Sequence, residues 1–307
     1  MKPETQSFYQ LAVQQAVERV LGGLDEALDL ERLARGAALS PFHFHRIFRG
    51  MVGETPLELH RRLRLERAAF CLREDSTPVI AVALDAGYDT HEAFTRAFRA
   101  HYSCSPSEFR SSSQNRTGCV RPLQVEIAAH SSVHFEPRRT GAPVVRFSHQ
   151  REQAMNVEIK HMKAMRLATV RHIGPYNRIS EAFGRLGDIA GRAGLFNGKP
   201  TMLAVYHDDP EATPEPELRS DAAVVVPDNA TIPEGMSERR LPAGRYACTL
   251  HIGPYEHLGD AWGRLMGQWL PQSGERCLNG DSYEIYLNNP TEVPKHELRT
   301  ELYIPLV

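Results

Sequence analysis

Twice in the first third of the chain, apolar residues recur at helical spacing inside nearly the same hexamer. Phe44, Ile47, Phe48 and Met51 lie at i, i+3, i+4 and i+7 around FHRIFR, a stripe that a helix must bury. Phe94, Ala97 and Phe98 repeat the stripe in FTRAFR. Each predicted helix carries a second stripe facing elsewhere: Phe42, His45, Arg46 and Arg49 in the first, His91, Glu92, Thr95, Arg96 and Arg99 in the second. An apolar back with arginines, histidine and an aromatic outward suits the DNA major groove.

The flanks supply boundaries. The pattern predicts helices over about Phe8 to Leu21 and Leu30 to Arg35, with a break at Gly22-Gly23. Ser40-Pro41 is an N-cap followed by proline at the first helical position, and Thr90 caps the second reader helix behind a turn at Gly87. Thr55-Pro56 opens a longer helix reaching about Arg73, roughly 27 Å at 1.5 Å per residue. A rod of that length can set two helix-turn-helix units against successive major grooves, about 34 Å apart.

From Ser111 to about Asn156 the pattern dissolves into Ser, Pro, Arg and His with short apolar runs (Val120 to Ile127, Val144-Val145), which reads as a linker. Beyond it the chain repeats itself. HIGPY at 172 and again at 251, and EAFGRL at 181 then DAWGRL at 260, recur 79 residues on; YHDDP at 206 becomes YLNNP, and ELRSD at 217 becomes ELRTE, 80 residues on. Each copy predicts strand, Gly-Pro turn, amphipathic helix, strand, Asx-Pro turn, strand. The helices fall at about 176–193 and 256–269. The strands fall at Met202–Tyr206, Ala222–Val226, Tyr246–Ile252, Tyr283–Leu287 and Leu298–Ile304. Two such units make a pseudo-twofold α+β domain with a groove where the copies meet.

Candidate groove residues follow. Alternation puts Arg299, Glu301 and Tyr303 on one face of the last strand, with Asp221 at the equivalent place in the first copy. Tyr176, Phe183, Tyr206, Tyr255, Trp262, Trp269 and Tyr286 supply aromatic walls. A carboxylate among aromatic rings suits an organic cation.

Composition narrows the classes. At 307 residues and 41% hydrophobic content there is material for about two cores. No apolar run approaches a membrane span and the N-terminus lacks a secretion-signal pattern, so the expected location is cytoplasmic. Five cysteines without a C-x-x-C pair argue for reduced thiols, and His43-x-His45 points two ways on a helix, so neither a metal nor another cofactor is expected. Net charge is −2, and residues 1–110 hold 14 basic against 15 acidic side chains. The seven arginines between Arg46 and Arg73 nevertheless predict a basic face with an acidic back near Asp25 to Glu31.

Residues from about 8 to 110, above all AGYDTHEAFTRAFRAHYSCSPSEFR from Ala86 to Arg110, resemble the DNA-binding domain of the AraC/XylS regulators. The resemblance implies that both outward stripes face DNA, with Arg46 and Arg96 at bases and Arg49 and Arg99 at phosphates. RHIGPY, YHDDPEATPEPELRSD and ELRTELYIPL resemble the GyrI-like effector-binding domain. That likeness implies that Glu301, in the last strand, contacts cationic amphiphilic or aromatic ligands, with Tyr303 beside it.

The expected organisation is multidomain. An all-α double helix-turn-helix domain (8–110) and a linker (111–156) precede an α+β pseudo-twofold GyrI-like domain with an antiparallel sheet (157–307). The expected function is a transcription regulator that binds a double-stranded operator and a small-molecule effector and contacts RNA polymerase, with no membrane partner. The alternative is a hydrolase of strained small molecules, which the resemblance also brings. A plain interaction domain is the third reading.

Overall fold

The computed structural model describes residues 3–114 and 155–307, apart from Asn197, Lys199 and 209–212. The expected linker therefore lies almost wholly outside the described residues. Seven helices come first: α1 (Pro3–Gly22), α2 (Leu30–Gly36), α3 (Pro41–Val52), α4 (Pro56–Glu74), α5 (Val79–Asp85), α6 (His91–Tyr102) and α7 (Pro106–Gln114). Their starts follow the caps. The Ser40 hydroxyl accepts from the His43 N–H at 3.3 Å, and Thr90 accepts from Ala93. Thr55 closes a reciprocal box with Glu58, at 3.1 Å one way and 2.8 Å the other. Thr55→Ala is expected to cost about 1 kcal/mol in urea unfolding, because the Glu58 amide at the head of α4 loses its acceptor.

Spatial clustering gives two units. Of the described residues, one takes in Leu11–Ala37 and 51–114; the other takes in 3–10, Ala38–Gly50 and 155–307. In the first, Phe94, Phe98 and Phe109 join Leu65, Leu72, Val82 and Ala83 in one core. Gly87 turns the chain between α5 and α6 at φ +77°, and a Cβ there would meet the Arg64 guanidinium at 2.3 Å. The expected basic face is thinned. Arg62 is buried in α4 between Glu54 (2.6 Å) and Glu66 (2.5 Å), while Arg67 reaches Asp25 and the Asp85 carbonyl. These two arginines tie helices and turns together, so the run from Arg46 to Arg73 is not one open surface.

The other unit is built on an eight-stranded antiparallel sheet. Its strands are β1 (Val157–Met162), β2 (Met165–Ile173), β3 (Met202–Tyr206), β4 (Arg219–Val225), β5 (Ser237–Leu241), β6 (Gly244–Ile252), β7 (Ser282–Tyr286) and β8 (Arg299–Leu306). Their spatial order, β1-β6-β8-β7-β3-β4-β2-β5, reads the same from both ends once the copies are exchanged, with the pseudo-twofold between β3 and β7. Each copy lends its first strand to the other: β1 pairs with β6 and β5 with β2. These two edge strands, VEIKHM and SERRL, lie outside the expected set; they are short and rich in charge, as edges favour.

Helix α8 (Ser180–Arg192) follows a 3₁₀ turn at Tyr176–Arg178 and buries Ala182, Leu186 and Ala190. Its counterpart is broken into α9 (Leu258–Gly263), a π-helical stretch Arg264–Trp269, and α10 (Leu270–Ser273). Between this helix and the next strand the repeat offset rises from 79 to 80. A π turn takes one more residue than an α turn, so the bulge lies where the second copy gains its extra residue.

Candidate ligand site and reader helices

Alternation along β7 sends Ser282, Glu284 and Tyr286 to one face of the sheet, while Tyr283 and Ile285 go to the other. The register with β3 sets Tyr206 opposite Ser282 and Ala204 opposite Glu284. On this face Glu284 is 2% exposed and takes three donors: Trp262 Nε1 at 2.7 Å, Tyr286 Oη at 2.8 Å and Tyr206 Oη at 3.0 Å. Tyr176 stands edge-on to Tyr206 at 4.8 Å, and Phe183 and Tyr255 stand edge-on to Tyr286 at 5.4 Å each. Six rings contributed by both copies thus gather about one carboxylate.

Burial pushes the Glu284 carboxyl above its usual range, opposed by the donors from Trp262, Tyr286 and Tyr206 and by the positive charge of Arg46. Burial beside the carboxylate raises the Tyr206 and Tyr286 hydroxyls well above the ordinary tyrosine value, so both keep their protons. A nearly dehydrated carboxylate among aromatic rings is a setting that suits an organic cation.

Glu301 and Tyr303, expected in this groove, lie on the opposite face. Tyr303 stacks on Tyr283 at 4.8 Å and donates to Glu301 at 2.6 Å, and Lys160 of β1 closes on Glu301 at 2.7 Å. Burial alone would raise this carboxyl, but the Lys160 and Tyr303 donors hold it below its usual range. The reason is the exchanged edge strand: it brings a lysine that the local pattern of β8 does not contain. Asp221 shares that face and is buried, engaged by Arg171 and His207 at 2.5 and 2.8 Å, while Arg219 pairs with Asp208 instead. Glu284 is not among the residues expected from the sequence. Its signal was a lone charge in the apolar strand SYEIY, where the first copy has Ala204.

The two reader helices differ. In α6, Phe94 and Phe98 are buried while Glu92, Arg96 and Arg99 are exposed, with His91 and Thr95 half-buried. In α3 only Arg49 of the expected outer stripe is exposed. Phe42 and His45 are buried, at 9% and 3% exposure, and Arg46 is half-buried. The cause is that α3 lies against the sheet unit, which counts Ala38–Gly50 among its parts. The Arg46 guanidinium carbon sits 4.7 Å from the Phe42 ring centre and 5.4 Å from that of Trp262. His43 meets the Ser282 hydroxyl at 3.2 Å, and burial followed by the charge of Arg46 lowers its pKa to about 4. So His43 is a neutral packing residue. Among the described residues no three of His, Cys, Asp or Glu gather as a metal site, and no helix is long and apolar enough to cross a membrane.

Comparison with known proteins finds a helix-turn-helix domain over residues 33–112 and a GyrI-like small molecule binding domain over residues 155–307. A DNA gyrase inhibitor of Yersinia enterocolitica is 34% identical over 140 residues, 44% of this chain and 88% of that protein. The transcriptional regulator Rob of Salmonella typhimurium is 34% identical over 101 residues, 33% of this chain and 35% of Rob. The solved C-terminal domain of EcmrR aligns with a TM-score of 0.45 at 21% identity, covering 50% of this chain and 99% of that one.

Proposed function

From a chain that belongs to the GyrI-like family and carries an AraC-type helix-turn-helix domain ahead of it, we propose an effector in the class of aromatic or amphiphilic organic cations, bound at Glu284. The chain is a transcription regulator with a DNA-binding and a small-molecule-binding part. We assign DNA binding to residues 8–110 and sensing to residues 157–307, with RNA polymerase as the further partner through which transcription responds. The observation that carries the effector class is the Glu284 carboxylate, buried with three donors inside six aromatic rings.

The same geometry favours binding over hydrolysis. Trp262, Tyr206 and Tyr286 all donate to one carboxylate, and the two tyrosines hold their protons tightly. Those donors offset part of the burial cost of the charge, and neither tyrosine is poised to give up its proton.

A thermal-shift screen of quaternary ammonium compounds against neutral molecules of the same shape tests the effector class. A cation at a hundred times its Kd adds about 2.7 kcal/mol of stability, whereas equal shifts from the neutral set would overturn the reading. On the DNA side, Arg96 projects from α6 into solvent and is proposed to read a base. Arg96→Ala is expected to weaken operator binding by about 1–3 kcal/mol and to relax specificity at one base pair, as measured by anisotropy at fixed salt.

A further inference from the structure

The sheet face that holds Glu284 already carries a cation from the chain itself. Helix α3 lays Phe42, His43 and Arg46 toward it: Arg46 lies over the ring of Trp262, whose indole N–H is bonded to Glu284, and His43 meets Ser282, two residues before Glu284 on the same face. The seat is close. A Cβ placed on either Gly50 of α3 or Gly267 of the π-helical stretch would lie 2.2 Å from the other's Cα, so the backbones touch where neither has a side chain. The π-helical stretch that carries Gly267 has no counterpart in α8.

We propose that Arg46 is an internal competitor for the effector site: the docked α3 occupies the approach to Glu284 with its own guanidinium, and an effector cation displaces it. This rests on Glu284 being the effector site. It adds a direction to the response. While α3 is seated on the sheet, Arg46 is not available to a base, so operator DNA and the sheet contest the same side chain. An effector that takes the place of Arg46 at Trp262 favours the released helix, and by reciprocity DNA binding strengthens effector binding. The effector therefore tightens operator binding.

Two full-length variants test this with benzyltrimethylammonium as the probe and tryptophan fluorescence as the readout. Arg46→Gln removes the competing charge. Gly267→Ala leaves every pocket residue in place and puts a methyl group where the α3 backbone now lies. Each is expected to bind the probe about tenfold more tightly than the parent, since the competent open state no longer has to be freed first. Gly267→Ala should also bind operator more tightly without the probe and respond less when it is added. Parent-like probe affinity in either variant, with Glu284→Gln still weakening the probe, would overturn the competition and leave the site standing. A Glu284→Gln chain that binds the probe as the parent does would remove the site, and the competition with it.

Discussion

Glu284→Gln lowers affinity for benzyltrimethylammonium by about 10- to 100-fold and leaves its neutral analogue neopentylbenzene within about twofold, in titrations followed by tryptophan fluorescence. The substitution keeps the shape of the side chain and an oxygen able to accept from Trp262, Tyr206 or Tyr286. What disappears is the negative charge. In a site where Glu284 is 2% exposed, that charge is poorly screened, so its loss is felt by a cation and hardly by a neutral ligand. The fold is expected to hold, because a buried carboxylate with a raised pKa is itself an unfavourable thing to keep. Equal loss for both ligands would mean that the pocket had collapsed.

Phe98→Ala is expected to destabilise the helical unit by about 3–5 kcal/mol in urea unfolding, the largest stability effect anticipated in the chain. Phe98 is fully buried, and its ring touches Phe94 at 5.4 Å, Tyr102 at 4.6 Å and Phe109 at 5.4 Å, so truncation leaves a cavity walled by rings that cannot close on it. Arg96 and Arg99 stand on the opposite side of the same helix, and operator binding should fall with the fraction folded. Because the chain forms two units, the shift should appear in the helical transition while the sheet unit unfolds as in the parent. A change in the sheet transition alone would contradict this assignment.

The helices were legible because their ends carry their own chemistry. Ser40 and Thr90 cap in the structure where the sequence placed caps, Thr55-Pro56 opens α4 as expected, and the apolar stripes at Phe44, Phe48, Phe94 and Phe98 are buried. The duplication at 79 and 80 residues implies the pseudo-twofold α+β domain that the strand order displays, with five strands close to their observed bounds. What a helical period leaves open is the environment of the second stripe. Arg46 is as compatible with the Trp262 ring of α9 as with a DNA groove, and nothing local to α3 reports on Gly267, more than two hundred residues away.

The placement of Glu301 was hidden for a related reason. Alternation groups Glu301 with Tyr303, yet which face of β8 shares the side of Tyr206 and Tyr286 depends on its register with β7. Glu284 looked unremarkable beside Tyr283 and Tyr286 until β3 brought Tyr206 and α9 brought Trp262 to the same point.

The most direct measurement is the affinity of the full-length protein for an operator duplex selected from a random library, at fixed salt, with and without saturating benzyltrimethylammonium, for the parent and for Glu284→Gln. The account expects the cation to shift the parent's Kd by about 5- to 150-fold and to leave the Glu284→Gln Kd where it was. A parent that ignores the cation, or a Glu284→Gln chain that responds just as strongly, would contradict it.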